Sequence, residues 1–176
     1  MGTEGPIDMP LRMEGSFPKT FTVHFDGSHF GSLERPTDTY GVVGGLNKWW
    51  DDLCTQEGFN PDDKRFGKII YFIIELGKNA LEYGESGEVK VIFNPNEITA
   101  IVTDSGPGFE DPNDNIEAFP HHGLSSLKQY ADKFTIETNG RKFIKIPKKR
   151  KLVISEETTD VQRGARITFS KRLKIA

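Results

Sequence analysis

Residues 61–83 read PDDKRFGKIIYFIIELGKNALEY, and this stretch decides the fold. Its apolar side chains, Phe66, Ile69, Ile70, Phe72, Ile73, Ile74, Leu76, Ala80 and Leu81, cover more than half of a helical circumference. A helix that apolar is buried centrally rather than laid on a surface. Asn60 is a good N-cap, Pro61 suits the first helical position, and Asp62 and Asp63 suit the positive end of the helix dipole. Gly84 ends the run. The sequence therefore predicts one long central helix over 61–83.

The flanking elements follow from period. Residues 20–25 (TFTVHF) alternate, which predicts a strand with Phe21, Val23 and Phe25 on one face. Residues 38–57 carry Val42, Val43, Leu46, Trp49, Trp50 and Leu53 at spacings of three and four, which predicts a helix weakened by Gly44 and Gly45. Residues 88–94 and 97–103 alternate on either side of Pro95 and Asn96, a hairpin. Residues 104–122 hold three prolines and little period, which predicts a long loop. A helix is expected over 123–133, and strands over 134–138, 142–147, 150–154 and 165–170. The order specifies an α+β two-layer sandwich, with helices on one face of a mixed, mostly antiparallel sheet. Residues 1–16, broken by Gly2, Gly5, Pro6, Pro10 and Gly15, read as a flexible arm, and 17–176 as a single domain.

Composition excludes several function classes. The chain has 176 residues, 35% of them hydrophobic, and balances 23 basic against 26 acidic side chains for a net charge of −3. A generally basic nucleic-acid binder would carry a positive balance. The single Cys54 rules out an internal disulfide and a multi-cysteine zinc site, and suggests a reducing compartment. No run approaches the ~18 apolar residues of a membrane span. The N-terminal stretch lacks the apolar core of a secretory signal. A cytoplasmic location is expected.

Four segments carry candidate chemistry. Glu75 and Asn79 lie one helical turn apart, with Tyr83 continuing the line. They are either a solvated stripe or a metal and phosphate site, because an amide oxygen can ligand Mg²⁺ and a carboxylate can act as a base. Asp104-Ser105-Gly106-Pro107-Gly108-Phe109 follows a strand directly. It is either an ordinary turn or a place where backbone passes close to a ligand while Asp104 accepts from an amino group. His121-His122-Gly123-Leu124-Ser125-Ser126 opens a helix whose free amides could face an anion, and the two histidines either serve phosphate or are exposed loop residues. Finally, residues 141–151 (RKFIKIPKKRK) hold seven basic side chains. A solvated surface is the first reading of that run, a contact for an acidic protein or lipid headgroup the second, and nucleic-acid recognition the third.

In this order and spacing the pieces resemble the GHKL superfamily of ATP-binding domains, which includes gyrase, chaperone, histidine-kinase and mismatch-repair ATPases. Glu75…Asn79-Ala80…Tyr83 resembles the family's N box. Asp104-x-Gly106-x-Gly108-Phe109 resembles its first glycine box, and Gly123-Leu124 the end of its second. Gly164-Ala165-Arg166-Ile167 sits where a Gly-Thr strand motif is expected. The resemblance spans roughly residues 38–173 and implies the Bergerat α/β sandwich, with ATP and Mg²⁺ as cofactors. By length, and by Lys171-Arg172-Leu173 after the last strand, the chain is most similar to stand-alone anti-sigma-factor serine kinases.

That resemblance implies roles residue by residue. Glu75 would be the base that activates a protein serine. Asn79 would hold Mg²⁺, and Asp104 would read the adenine amino group. Gly106, Gly108, Phe109, His122, Gly123 and Leu124 would line the nucleotide, and the segment 110–122 would be its lid. The implied partner is a protein, a sigma factor or an anti-sigma antagonist, with no nucleic acid and with a homodimer compatible. Three positions depart from the family pattern: His121 for a Gly, Ala165 for a Thr, and Tyr83 for a His. A non-catalytic nucleotide-binding interaction module, or a degenerate domain that binds only protein, is the competing expectation.

Overall fold

The computed structural model describes residues 16–31, 33–34 and 39–173. The expected arm falls almost wholly outside them. Nine strands form one sheet: β1 (Lys19–Asp26), β2 (His29–Phe30), β3 (Leu33–Glu34), β4 (Ser86–Asn94), β5 (Glu97–Asp104), β6 (Lys133–Thr138), β7 (Arg141–Ile144), β8 (Val153–Ile154) and β9 (Ala165–Arg172). Their order is β3-β2-β1-β4-β5-β9-β6-β7-β8, and every ladder among the described residues is antiparallel. The helices are α1 (Thr39–Gln56), α2 (Lys64–Tyr83), α3 (Pro112–Ala118) and α4 (Gly123–Tyr130). The α+β sandwich is therefore observed.

Alternation explains why one face of the sheet is dry. Val89, Val91 and Phe93 of β4, Ile98, Ala100 and Val102 of β5, and Ile167 and Phe169 of β9 are all buried. Their neighbours Glu88, Lys90, Thr99, Thr103, Arg166 and Thr168 take the other side, as expected for an antiparallel sheet with one wet face. Against the dry face lies α2, burying Phe66, Ile69, Phe72, Ile73, Leu76 and Ala80. Each such side chain contributes about 1.5–3 kcal/mol on leaving water. Helix α1 covers α2 with Val42, Leu46, Trp50 and Leu53. Trp50 packs between Phe66 and Phe93, and its buried indole N–H finds no partner among the described residues. Cys54 is buried here too, and burial together with nearby Asp51 pushes its thiol up to about 12, which makes it inert at neutral pH.

Three expectations need correction. Helix α2 starts at Lys64 rather than at Pro61. Asn60 uses its side-chain oxygen to accept from the Asp62 amide at 3.0 Å, which closes a turn before the helix instead of capping it. Residues 104–122 are not one irregular loop but contain α3, begun by Asp111, whose carboxylate accepts from the Asn113 amide, and by Pro112 in the first turn. The strands expected over 142–147 and 150–154 shrink to β7 and β8, because Lys145–Leu152 departs into a connection held by other bonds.

Asn113 holds that connection. It is 7% exposed, donates from Nδ2 to the Leu152 carbonyl (3.2 Å), and accepts from the Leu152 amide at Oδ1 (2.8 Å). One amide side chain thus mimics a strand partner and ties α3 to the sheet edge. Asn113→Ala leaves two buried backbone groups unpaired and should cost about 1–3 kcal/mol. Urea unfolding of the variant checks the value.

Candidate functional site

The three chemistry-bearing segments nearest the chain's centre meet in one cleft of about 400 Å³ between α2, the end of β5, α3 and the start of α4. Helix α2 places Glu75, Leu76, Asn79 and Tyr83 on its wall, since positions three and four apart share a helix face. Val102 and Ile167 form an apolar floor, and Phe109, Phe119 and Leu124 close the sides. His122 and Gly123 stand at the opposite rim.

Asp104 is the last residue of β5 and lines this cleft. Burial raises its carboxyl above the usual range, and hydrogen bonds from the Gly106 and Ala165 amides partly oppose that rise. The Gly106 amide donates to Oδ1 at 2.8 Å. The carboxyl is thus fixed by backbone and half-desolvated, the state in which it discriminates best between a ligand donor and water.

Glycines make the loop around Asp104 feasible. At Gly164, φ is +76°, and an added Cβ would lie 2.1 Å from the Asp104 carbonyl oxygen. At Gly108, φ is +77°, and a Cβ would fall 2.3 Å from Thr138 Oγ1. Thr138 is fully buried; its hydroxyl donates to the Gly164 carbonyl (2.9 Å) and accepts from the Phe109 amide (2.9 Å). It locks the two glycine segments together, and nothing in its local sequence signals that role.

Some expected roles move. Gly106 does not line the cleft: it is packed beneath the end of α2, where a Cβ would meet the Tyr83 carbonyl at 2.6 Å, and it acts by orienting Asp104. Ala165 pairs with both Asp104 and Thr138 across the sheet. Thr168 lies on the wet face, so it supplies no hydroxyl to the cleft. His121 takes φ 73°, the left-handed conformation that suits the Gly it replaces, and both histidines are exposed. Within the segment 110–122, Pro112, Asn113 and Ile116 are buried, so the part free to act as a lid narrows to residues 117–122.

The polar groups differ in how far they are already engaged. Glu75 is half-buried and paired with Lys78 at 3.0 Å. The Asn79 amide makes no hydrogen bond to the described residues, so both its donor and acceptor are available. No group of three or more His, Cys, Asp or Glu side chains clusters for a metal among the described residues. A cation here would therefore rely on Asn79 plus oxygens brought by a ligand.

Another cavity, of about 480 Å³, lies behind Asp104 among His24, Asp26, His29, Ser86, Glu88 and Ser105, and its histidines are already engaged. His24 faces Glu88 and His29 faces Asp26, each at 3.3 Å. The described helices include none long and apolar enough to cross a membrane. No protein-family model matches the chain, and no curated protein sequence matches it.

Gly164→Ala tests the loop directly. Strain at φ +76° and the clash with the Asp104 carbonyl should lower stability by about 1–3 kcal/mol. Equal unfolding midpoints for variant and parent in urea would show that the loop tolerates a side chain there.

Proposed function

We propose that the chain is an ATP-binding regulatory domain of the GHKL type, resembling the anti-sigma-factor serine kinases, that phosphorylates or sequesters a protein partner. The observation that supports this most is the convergence of three separate sequence segments, Glu75 and Asn79 on α2, Asp104 at the end of β5, and His122, Gly123 and Leu124 at the start of α4, on one cleft with an apolar floor. The residues present fit the nucleotide: an acceptor held at the strand end, apolar surfaces beside it, and an unengaged amide toward the start of α4.

Each residue has a role derived from its place. Asp104 accepts from the adenine amino group, while Val102, Ile167 and Leu124 exclude water around the base. Asn79 offers its amide oxygen to Mg²⁺, and the first turn of α4 presents backbone amides to anionic oxygens. When bound, ATP supplies the transferable phosphoryl group. Glu75 accepts the proton of a partner's serine hydroxyl, and Lys78 keeps that carboxylate positioned. The pairing of Glu75 with Lys78 also favours a second reading, a non-catalytic module in which the nucleotide controls partner binding. Both readings share the cleft and differ only in what Glu75 does.

Isothermal titration separates the parts. ATP affinity should fall by about 1–3 kcal/mol in Asp104→Asn, the cost of leaving a buried polar group without its partner. Asn79→Ala should abolish the difference between affinities measured with Mg²⁺ and with a chelator. Undiminished ATP binding by folded Asp104→Asn rejects the adenine assignment.

Phosphotransfer to a partner separates the readings. Glu75→Gln should bind ATP as well as the parent while labelled-phosphate transfer drops about 10²–10⁴-fold. Transfer absent from the parent chain leaves the interaction module; transfer undiminished in Glu75→Gln removes the base.

A further inference from the structure

Helix α3 is a wall shared by two cavities. Asn115 and Phe119 face the cleft described above, while Asn113, Ile116, Glu117 and Pro120 face a separate cavity of about 380 Å³. That second cavity lies between α3, α4 and the connection from β7 to β8. Its volume falls within the ~300–1,000 Å³ of small-molecule sites. Its lining includes Ser125, Lys128, Lys145, Lys149, Arg150 and Lys151. Five cations therefore meet one carboxylate, Glu117, which is paired with Lys151 at 3.3 Å.

We propose that this pocket binds a small ligand carrying two or more phosphate groups. The first argument is the missing counter-charge. Lys128 is 9% exposed, and its ammonium bonds the Arg150 carbonyl rather than a carboxylate. The Lys145 ammonium likewise bonds the Ala131 carbonyl. Both side chains are thus aimed by backbone oxygens, and neither forms an ion pair with a carboxylate of the described residues, Glu117 and Asp132 offsetting them only in part. Burial, followed by the charges of Lys145 and Arg150, pushes the Lys128 ammonium below its usual range, and burial lowers Lys145 as well. A bound polyanion removes that repulsion.

The second argument is an unused donor. Ser125 is 7% exposed, lines the pocket, and its hydroxyl makes no hydrogen bond to the described residues. The third is preorganisation. The basic connection is closed by a turn from the Lys149 amide to the Ile146 carbonyl at 3.1 Å, and is clamped by Asn113 on Leu152. A connection fixed at both ends loses little entropy when a ligand binds.

Shape and charge favour a small ligand over an extended polyanion. The cations converge on a concavity walled by Ile116 and Pro120 instead of spreading along a stripe. The chain as a whole is net −3, so acidic side chains outnumber basic ones outside the pocket, a balance that disfavours a nucleic-acid strand or an anionic bilayer. The pocket and the cleft share no lining residue, so this proposal stands apart from the ATP reading.

Titration calorimetry with inorganic pyrophosphate at low ionic strength tests the site. The parent chain should bind saturably. The combined variant Lys149→Gln, Arg150→Gln, Lys151→Gln removes only exposed side chains and should fold; its Kd should rise about tenfold or more, given that each lost contact is charge-assisted. Ser125→Ala should weaken binding and Asp104→Asn should not. Absence of saturable binding, equal affinity in the triple variant, or a matching loss in Asp104→Asn overturns the proposal. So does displacement of pyrophosphate by a single-stranded oligonucleotide or by phosphatidylglycerol vesicles that bind more tightly, which would make the patch a surface for long polyanions.

Discussion

The fixed carboxyl of Asp104 is the constraint on which the candidate site depends. Two backbone amides, from Gly106 and Ala165, reach it from different segments, one following β5 and one beginning β9. For both to do so, Gly164 must pass within van der Waals distance of the Asp104 carbonyl, and Gly106 must tuck under the last turn of α2. Thr138 on the next strand then ties Gly164 to Phe109. Sheet, helix end and glycine loop are therefore one unit. The cleft is shaped by backbone more than by side chains, and this accounts for the low tolerance expected at Gly108 and Gly164.

Around that unit, charge is sorted by location. The cleft holds carboxyl and amide groups against apolar walls, whereas the pocket across α3 concentrates ammonium groups with almost no carboxylate. Helix α3 links the two, with its buried Asn113 pinned to the basic connection and its far end running into the exposed residues 117–122 that border the cleft. A displacement of those residues would be felt at both cavities.

Much of this was legible in the sequence, and the rest was hidden for identifiable reasons. The apolar residues of α2 and the alternation of β4 and β5 declare the two layers, because burial imposes periods of 3.6 and 2. Glu75 and Asn79, by their spacing, and Asp104, by its position at a strand end, stand out in the sequence, and all three line the cleft. The start of α2 lies three residues past the position that Asn60 and Pro61 suggest, because an Asn side chain serves a turn as readily as a cap and local sequence does not say which. Helix α3 carried its signal in Asp111-Pro112, but seven residues between prolines give too short a period to recognise. Thr138, Val102 and Ile167 join the site through strand register alone, a long-range relation that no local pattern encodes. Gly106 looks like a lining residue from its glycine pattern, yet its amide orients Asp104 from beneath the end of α2.

The central claim is that these convergent residues form a nucleotide site. Two-dimensional amide NMR of the labelled chain, titrated with ATP and Mg²⁺, addresses it most directly. The account predicts that backbone signals of Gly108, Phe109, Gly123 and Leu124 and the side-chain amide of Asn79 shift together and saturate. Signals that stay fixed at millimolar ATP, or shifts gathered around His24 and His29 instead, would contradict it.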